Sequence, residues 1–428
     1  MLPSTINREL ASRGRVIMQL ERPFMELLSA LAAHNPNIPF GVRVGDGTMH
    51  RYGDGEPEFT LMIKDDTTLR EVLGGGSVGF GEAYMRGDVD VDGDLRALLR
   101  FKEDTAWREL KLSMRTQAEL LGAYAVERVV GNTIGRSRKN VAHHYDIGNE
   151  FYELWLDRSL GYSCAYFRTL EDSVDKAQEN KYEHICRKLL LRPGEHMIDI
   201  GCGWGGLLLH AAEHFGVTGV GYTLSQGQYD FATERIARKG LQDRITIRLD
   251  DYRNAAGTFD KWSSIGMFEH VGPKHFQTYF EHNKGLLKPG AIGVLQFLGR
   301  DIPTETDPWI LKYIFPGVYL PTISETLPYM HATGLSFHDI ENLRRHYPLM
   351  LDRWIPRYEE VVPQVRAMYD ELFVRMWRLY LAGLSVVNSH GNVRLFQIQF
   401  TNGIRDMPLT REYLCRQCYP ELGTTVET

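Results

Sequence analysis

Cysteine is scarce in this chain: five in 428 residues, an odd number at wide spacing. Cys164, Cys186, Cys202, Cys415 and Cys418 do not read as a disulfide framework. Cys415 and Cys418 form a lone C-x-x-C pair with no second pair to complete a zinc site, and no metal is expected. Long uncharged apolar runs are missing from the first forty residues. The best candidate, Phe24 to Leu31, is interrupted by Glu26, is too short to span a bilayer and lacks a signal-peptide layout. Arg8, Arg13 and Arg15 precede it, so it reads as an amphipathic surface helix or, more commonly, a core helix. Positive charge is not in excess. Lys and Arg number 49 against 55 Asp and Glu, a net charge of −6. That balance argues against generic nucleic-acid binding, and contact with an anionic membrane would need a local basic patch. Internal repeats and low-complexity tracts are absent as well.

What is present is an ordinary globular composition, 43% hydrophobic and 24% charged, in a chain long enough for two domains. Its most specific stretch is Asp199-Ile200-Gly201-Cys202-Gly203-Trp204-Gly205-Gly206, between the apolar runs Met197–Ile200 and Leu207–Ala212. That order is a strand, a glycine turn and a helix start, where free N–H groups meet a closely approaching ligand. A second apolar run, Val217–Tyr222, completes a βαβ unit. The second strand ends in Thr223-Leu224-Ser225, without the acidic residue a dinucleotide site uses, and no Lys-Ser or Lys-Thr follows the glycines as in a phosphate loop. Asp-x-Gly-x-Gly-x-Gly after a strand resembles the first motif of S-adenosylmethionine (SAM)-dependent methyltransferases. A tight turn in another Rossmann-like sheet is the competing reading.

Residues 36–100 read as a small α+β unit, with β-like runs at Phe40–Val44, Met49–Tyr52 and Glu58–Ile63 and helical runs at Leu69–Leu73 and Leu95–Phe101. Residues 105–140 read as helical and then as an Arg- and Gly-rich linker. Within it, Arg136, Arg138 and Lys139 are either a solvated face or a contact for phosphate or lipid headgroups. From about 141, strands are expected near 196–200, 217–222, 245–249, 261–266 and 291–297, with helices between them. Such alternation predicts a parallel sheet covered on both faces. Residues 303–384 read as mostly helical and aromatic-rich, and Arg394–Phe400 alternates like a last strand.

Several motifs along 140–400 together resemble cyclopropane-fatty-acyl-phospholipid synthases and the related mycolic acid cyclopropane synthases. They are His144-Tyr145-Asp146 with Asn149 and Phe151, Tyr162-Ser163-Cys164-Ala165-Tyr166-Phe167, the glycine turn, Thr223-Leu224-Ser225 with Gln228, Phe268-Glu269-His270-Val271-Gly272, Tyr313-Ile314-Phe315-Pro316-Gly317 and His346-Tyr347. Residues 20–110 resemble the smaller N-terminal domain of the phospholipid-acting members. The resemblance implies an α/β fold: a Rossmann-like class I SAM methyltransferase domain over 141–428, and a smaller N-terminal α+β domain over 1–125 that docks on lipid, with a helical linker to about 140. It implies a cytoplasmic enzyme, peripheral at the inner face of the membrane, that converts unsaturated phospholipid acyl chains, and it leaves a homodimer open. For SAM it implies Gly201 and Gly203 at the methionine moiety and Tyr162 and Ser163 near its carboxylate and amine. Thr223 and Gln228 fall near the ribose, and Asp251 and Tyr252 near the adenine.

The chemistry gives these positions reasons. Methyl transfer to a cis alkene leaves a carbocation, which closes to cyclopropane once a base removes a proton from the new methyl. Such a site must exclude water, tolerate positive charge and hold a base. Aromatic faces attract a cation by roughly 0.5–2 kcal/mol each, although any single ring after 303 is more often plain core packing. The family implies bicarbonate as the base, and Cys164, Glu269 and Tyr347 fall on the positions that hold it. A carboxyl beside that anion makes sense if one of the two carries a proton. One position departs from the family. Where relatives commonly place a histidine, this chain has Gln296, in Leu295-Gln296-Phe297-Leu298. Glutamine hydrogen-bonds but does not titrate, which weakens the expected proton relay and the bicarbonate site. It also opens a second outcome, a methyl-branched or methylene-bearing acyl chain. His144 and His270 suit general bases and structural hydrogen bonds equally.

Overall fold

The computed structural model describes residues 20–105, 109–131 and 147–414. Arg8, Arg13 and Arg15, the basic cluster Arg136, Arg138 and Lys139, the His144-Tyr145-Asp146 motif and the Cys415/Cys418 pair lie outside the described residues. The chain divides into two compact units, Met1–His143 with Glu371–Ala382, and His144–Asp370 with Gly383–Thr428.

The first unit contains α1 (Glu21–His34), β1 (Phe40–Val44), β2 (His50–Tyr52), β3 (Phe59–Ile63), α2 (Asp66–Arg86), β4 (Val89–Gly93), α3 (Leu95–Asp104) and α4 (Met114–Gly131). Its sheet runs β2-β1-β3-β4. The apolar run at 24–31 is a core helix: α1 buries Pro23, Phe24, Leu28 and Leu31. Helix α2 starts where Asp65 accepts from the Thr68 amide at 2.8 Å, and it continues far beyond the expected 69–73. It passes through Gly74-Gly75-Gly76 by a kink at Gly76, at φ +56°. A Cβ on Gly79 would stand 2.1 Å from the Glu71 carbonyl oxygen, so the resumed helix needs glycine there. Strand β4 has no sequence counterpart above, because Val89 is its one fully buried side chain.

The second unit contains α5 (Asn149–Trp155), α6 (Val174–Lys188), β5 (His196–Ile200), α7 (Gly206–Phe215), β6 (Thr218–Thr223), α8 (Gln226–Arg238), β7 (Ile245–Leu249), β8 (Phe259–Ile265), α9 (Phe276–Gly285), β9 (Leu287–Arg300), α10 (Pro308–Tyr313), α11 (Ile323–Ala332), β10 (Leu335–Asn342), α12 (His346–Met368), the end of α13 (Glu371–Ser389) and β11 (Val393–Asn402). The seven-stranded sheet is ordered β10-β11-β9-β8-β5-β6-β7. Strands β5 to β9 pair in parallel, as expected, while β11 and β10 add antiparallel to the edge of β9. Both faces are covered. Met197, Ile292 and Val294 pack with Ile185 and Leu208 on one side. Ile198, Ile200, Leu295 and Phe297 pack with Phe280 and Met330 on the other.

Strand β10 falls in a stretch the sequence assigns to helix. The cause is an inverted alternation. Phe337 and Ile340 are exposed, whereas Asp339 and Glu341 face inward. Their partner is Lys188 at the end of α6, which has 0% exposure and lies 2.6 Å from Glu341 Oε2 and 3.2 Å from Asp339 Oδ2. His184 Nε2, one turn earlier, lies 2.8 Å from the same Glu341 oxygen. Lys261 of β8 then closes the end of α6, donating to the carbonyl oxygens of Leu189 (2.7 Å) and Leu190 (3.1 Å). These are carbonyls that a helix end leaves without intrahelical partners.

Removing one side of a buried ion pair strands the other. Glu341→Ala is therefore expected to cost about 3 kcal/mol of stability in denaturant unfolding, whereas Lys188→Met with Glu341→Gln recovers most of that loss. A single variant within experimental error of the parent would show that Asp339 alone compensates the buried lysine.

Candidate active site

The glycine turn leaves β5 with Gly201, Gly203 and Gly205 at φ +75°, +54° and +76°. The amides of Gly201 and Cys202 donate to the Tyr222 carbonyl at 3.0 and 2.9 Å, which ties the turn to β6. A Cβ on Gly201 would stand 2.9 Å from the Met267 Cβ, but one on Gly203 would meet no atom within 4 Å. Gly203 thus borders open space. Trp204 Nε1 donates to Asn149 Oδ1 at 2.8 Å, and Asn149 Nδ2 donates to the Gly227 carbonyl at 2.8 Å, so one amide joins α5, the turn and α8.

The neighbouring strand ends complete one rim. After β6, the Thr223 hydroxyl donates to Gln228 Oε1 at 2.7 Å, and Ser225 caps α8. After β7, Asp251 caps the turn 252–254 and is gripped by Arg253 at 2.5 and 2.9 Å. The Arg253 hydrogen bonds hold its carboxyl below the usual range. Tyr252 is half-buried and edge-on to Tyr279, with ring centroids 5.6 Å apart. Tyr162 and Ser163 lie between α5 and α6, where Gln178 Nε2 donates to the carbonyls of Gly161 (2.8 Å) and Ser163 (2.9 Å). Tyr162 stacks on Trp354 and touches Tyr152, which is edge-on to Trp204 of the glycine turn. Gly201, Gly203, Thr223, Gln228, Asp251 and Tyr252 therefore gather at the carboxyl ends of β5, β6 and β7, the usual ligand edge of such a sheet.

The four expected catalytic residues form two groups. Cys164 is buried, and burial pushes its thiol far up, so it stays neutral. Three residues on, the Phe167 amide donates to His346 Nδ1 at 3.0 Å, which sets the Cys164 segment against the start of α12, where Tyr347 is buried. The other group is Glu269 and Gln296. Glu269 sits in the turn after β8 at 5% exposure. Its Oε1 accepts the Leu298 amide at 2.6 Å, while Oε2 is buried with no hydrogen-bond partner among the described residues. Burial pushes this carboxyl up to about 7. Gln296 precedes Leu298 by two positions on β9, and its Oε1 accepts from Gln397 Nε2 at 2.7 Å. Leu295 and Phe297 face the α9 side, so Gln296 faces the α6 side together with Asp199 and Ser263. His270 lies edge-on to Phe315, 6.0 Å away.

Two charged groups at this site have no role assigned from the sequence: Asp199, which opens the glycine motif, and Lys181. Asp199 is buried, accepts from Ser263 Oγ at 2.7 Å and is pushed up to about 6 by burial. Lys181 of α6, at 2% exposure, donates to Ser163 Oγ at 2.9 Å. The signal for it was helical spacing. Gln178, Lys181, Ile185 and Lys188 recur at three- and four-residue steps and all are buried, so the inward stripe of α6 is partly polar.

The profile of the mycolic acid cyclopropane synthetase family matches residues 133–398. The chain belongs to this family. A domain family of unknown function matches residues 27–107. A "Probable fatty acid methyltransferase" of Pseudomonas putida is 32% identical over 397 residues, covering 90% of this chain and 98% of that protein. The cyclopropane-fatty-acyl-phospholipid synthase of Escherichia coli K12 is 34% identical over 378 residues, covering 85% of this chain and 94% of that protein. Among solved structures, mycolic acid cyclopropane synthase CmaA1 complexed with SAH and CTAB is 28% identical with a TM-score of 0.58, covering 61% of this chain and 97% of that one. The family resemblance and the Rossmann-like α/β expectation are both borne out.

The raised Glu269 carboxyl carries a stability consequence. The folded state binds its proton more tightly than the unfolded chain does, so its stabilising contribution is full below about 4.5 and is lost as pH rises through about 7. Glu269→Gln keeps the neutral form at every pH. It should match the parent near pH 4 and exceed it by about 3 kcal/mol above pH 8. Parallel pH–stability curves for the two proteins would place the Glu269 carboxyl at an ordinary value.

Proposed function

We propose that this chain transfers the methyl carbon of SAM to a cis double bond of an unsaturated phospholipid acyl chain and closes it to a cyclopropane. The observation that carries the reading is Glu269, a buried carboxyl poised near neutrality with one oxygen unpartnered. It accepts the amide of Leu298, two positions after Gln296 on β9, in a sheet whose glycine turn leaves room for a ligand. The solved CmaA1 complex with SAH and the synthase and methyltransferase relatives support the same reading.

The residues present fit the cofactor. The open side of Gly203 would take the methionine end, with Tyr162 and Ser163 at its carboxylate and amine, and Thr223 and Gln228 would reach the ribose hydroxyls. Asp251 is committed to Arg253, so Tyr252 supplies the adenine wall. When bound, SAM supplies an electrophilic methyl group. Around it, Tyr152, Trp155, Tyr162 and Trp354 form an aromatic cluster that excludes water and favours positive charge. Cys164 and Tyr347 from one group and Glu269 from the other would hold a bicarbonate ion, which would supply the base. Glu269 would share the site by keeping its proton on Oε2, since two adjacent negative charges would repel. Gln296, its carbonyl taken by Gln397, offers only amide hydrogens and relays no proton. That feature favours a second reading, in which the cation loses a chain proton and leaves a methyl-branched or methylene-bearing chain.

Among the described residues no helix is long and apolar enough to cross a membrane. We place the encounter with lipid at the inner membrane face, with the N-terminal unit docking.

The test is lipid analysis of a host with and without this chain, fed methionine labelled in its methyl carbon, with products resolved by NMR because cyclopropane and methylene addition have equal mass. Labelled cyclopropane in phospholipid acyl chains is expected. Label absent from acyl lipids would reject the reading. Gln296→His is expected to raise the ratio of cyclopropane to unsaturated methyl-bearing product, or to tighten the bicarbonate requirement. A parent that makes only cyclopropane, and a variant that changes neither quantity, would eliminate the branched-product reading.

A further inference from the structure

Lys181 is a cation buried without a contact anion. Among the described residues it forms no ion pair; its one hydrogen bond goes to a neutral hydroxyl, Ser163 Oγ, at 2.9 Å. The titratable groups that face it are Asp157, Cys164 and Asp199, with the Tyr182 ring 4.5 Å away. The Cys164 thiol is neutral, and both carboxyls are engaged elsewhere. Asp157 Oδ1 accepts the Gly161 amide at 2.8 Å and Oδ2 the Ser159 amide at 2.7 Å, while Asp199 accepts Ser263 Oγ. The ammonium is attracted by these carboxyls from a distance but has no contact ion pair, so an anion arriving within reach would add to its compensation.

The direction of the bond says where that anion would sit. An ammonium only donates, so Ser163 Oγ is the acceptor and its own proton must point elsewhere. Ser163 is half-buried, and its carbonyl is fixed by Gln178, so the backbone beneath the hydroxyl is anchored. We propose that Lys181 is a positioning residue for the cofactor's amino-acid end: it holds Ser163 as an obligatory donor to the carboxylate and supplies the counter-charge behind it. This rests on the reading above that SAM binds at the glycine turn.

The experiment is calorimetry on the full chain with SAM and with decarboxylated SAM, which keeps the adenosyl group and the amine but lacks the carboxylate. The parent is expected to prefer SAM by at least tenfold, the scale of a charge-assisted hydrogen bond. Lys181→Met should reduce that preference by about tenfold while leaving affinity for the decarboxylated compound within about threefold. A purely structural lysine would weaken both ligands alike. The parent provides a second measurement that does not depend on the folding of Lys181→Met. Burial pushes the Lys181 ammonium down to about 8, so the preference for SAM should fall as pH rises through that value. A preference that is constant from pH 6.5 to 9.5, or that survives in Lys181→Met, overturns the role of Lys181. So does a variant altered only in its response to bicarbonate. A parent that binds neither compound overturns the cofactor reading instead.

Discussion

A lysine enters a protein interior only if something compensates its charge, and the second unit buries three around one helix. Lys188 ends α6 against Asp339 and Glu341, Lys261 reaches across from β8 to the carbonyls that close the helix, and Lys181 sits two turns before Lys188. An unpaired ion costs several kcal/mol even after relaxation, so these contacts restrict how α6 can lie on the sheet. They also explain the antiparallel extension of a parallel sheet. The acids of β10 reach Lys188 from the outer side of β11, which lies between β10 and β9. With α6 fixed at its far end, Lys181 is carried about 10 Å back along the axis, next to Ser163, Cys164 and Asp199.

This dependence also sets what the sequence could show. The βαβ unit and the glycine turn were legible because apolar runs, glycines with φ near +60° and a helix start follow one another in a fixed order. The central parallel strands β5 and β9 were legible because most of their side chains are buried on both faces and they read as apolar runs, and the edge strand β7 because Ile245 and Ile247 alternate with exposed Thr246 and Arg248. Strand β10 was not, because its buried face carries the charges and its apolar side chains face solvent. Helix α2 was cut short at three glycines that the structure uses for a kink. In both cases the deciding partner is remote in sequence: Lys188 lies about 150 residues before β10, a separation no local pattern reports.

The candidate site was legible at the level of residue type and less so at the level of engagement. Glu269, Gln296 and the glycines were visible as motif positions. That Asp251 is committed to Arg253, and that Gln296 has its carbonyl taken by Gln397, required coordinates. Lys181 carried a signal in the polar inward stripe of α6. A buried lysine on a helix next to a sheet is nevertheless rare enough that composition alone would assign it to a solvated face.

Burial drives four buried groups of the site toward their neutral forms. The Cys164 thiol is pushed up, Glu269 to about 7, Asp199 to about 6, and the Lys181 ammonium down to about 8. At neutral pH the Lys181 ammonium and the Asp199 carboxyl are still mostly charged and Glu269 is about half ionised, so three groups of the site change charge within about a unit of it. In the proposed reaction a positive charge appears on a hydrocarbon chain in a place that excludes water. A strongly anionic pocket would bind the resulting cation too well to release a proton from it, and a strongly cationic one would oppose its formation. In that reading Glu269 would meet the conflict by staying protonated beside an anion, where it adds no second negative charge, while an adjacent cation would lower its pKa by about one to three units. Its Oε2, buried with no partner among the described residues, is where that proton would sit.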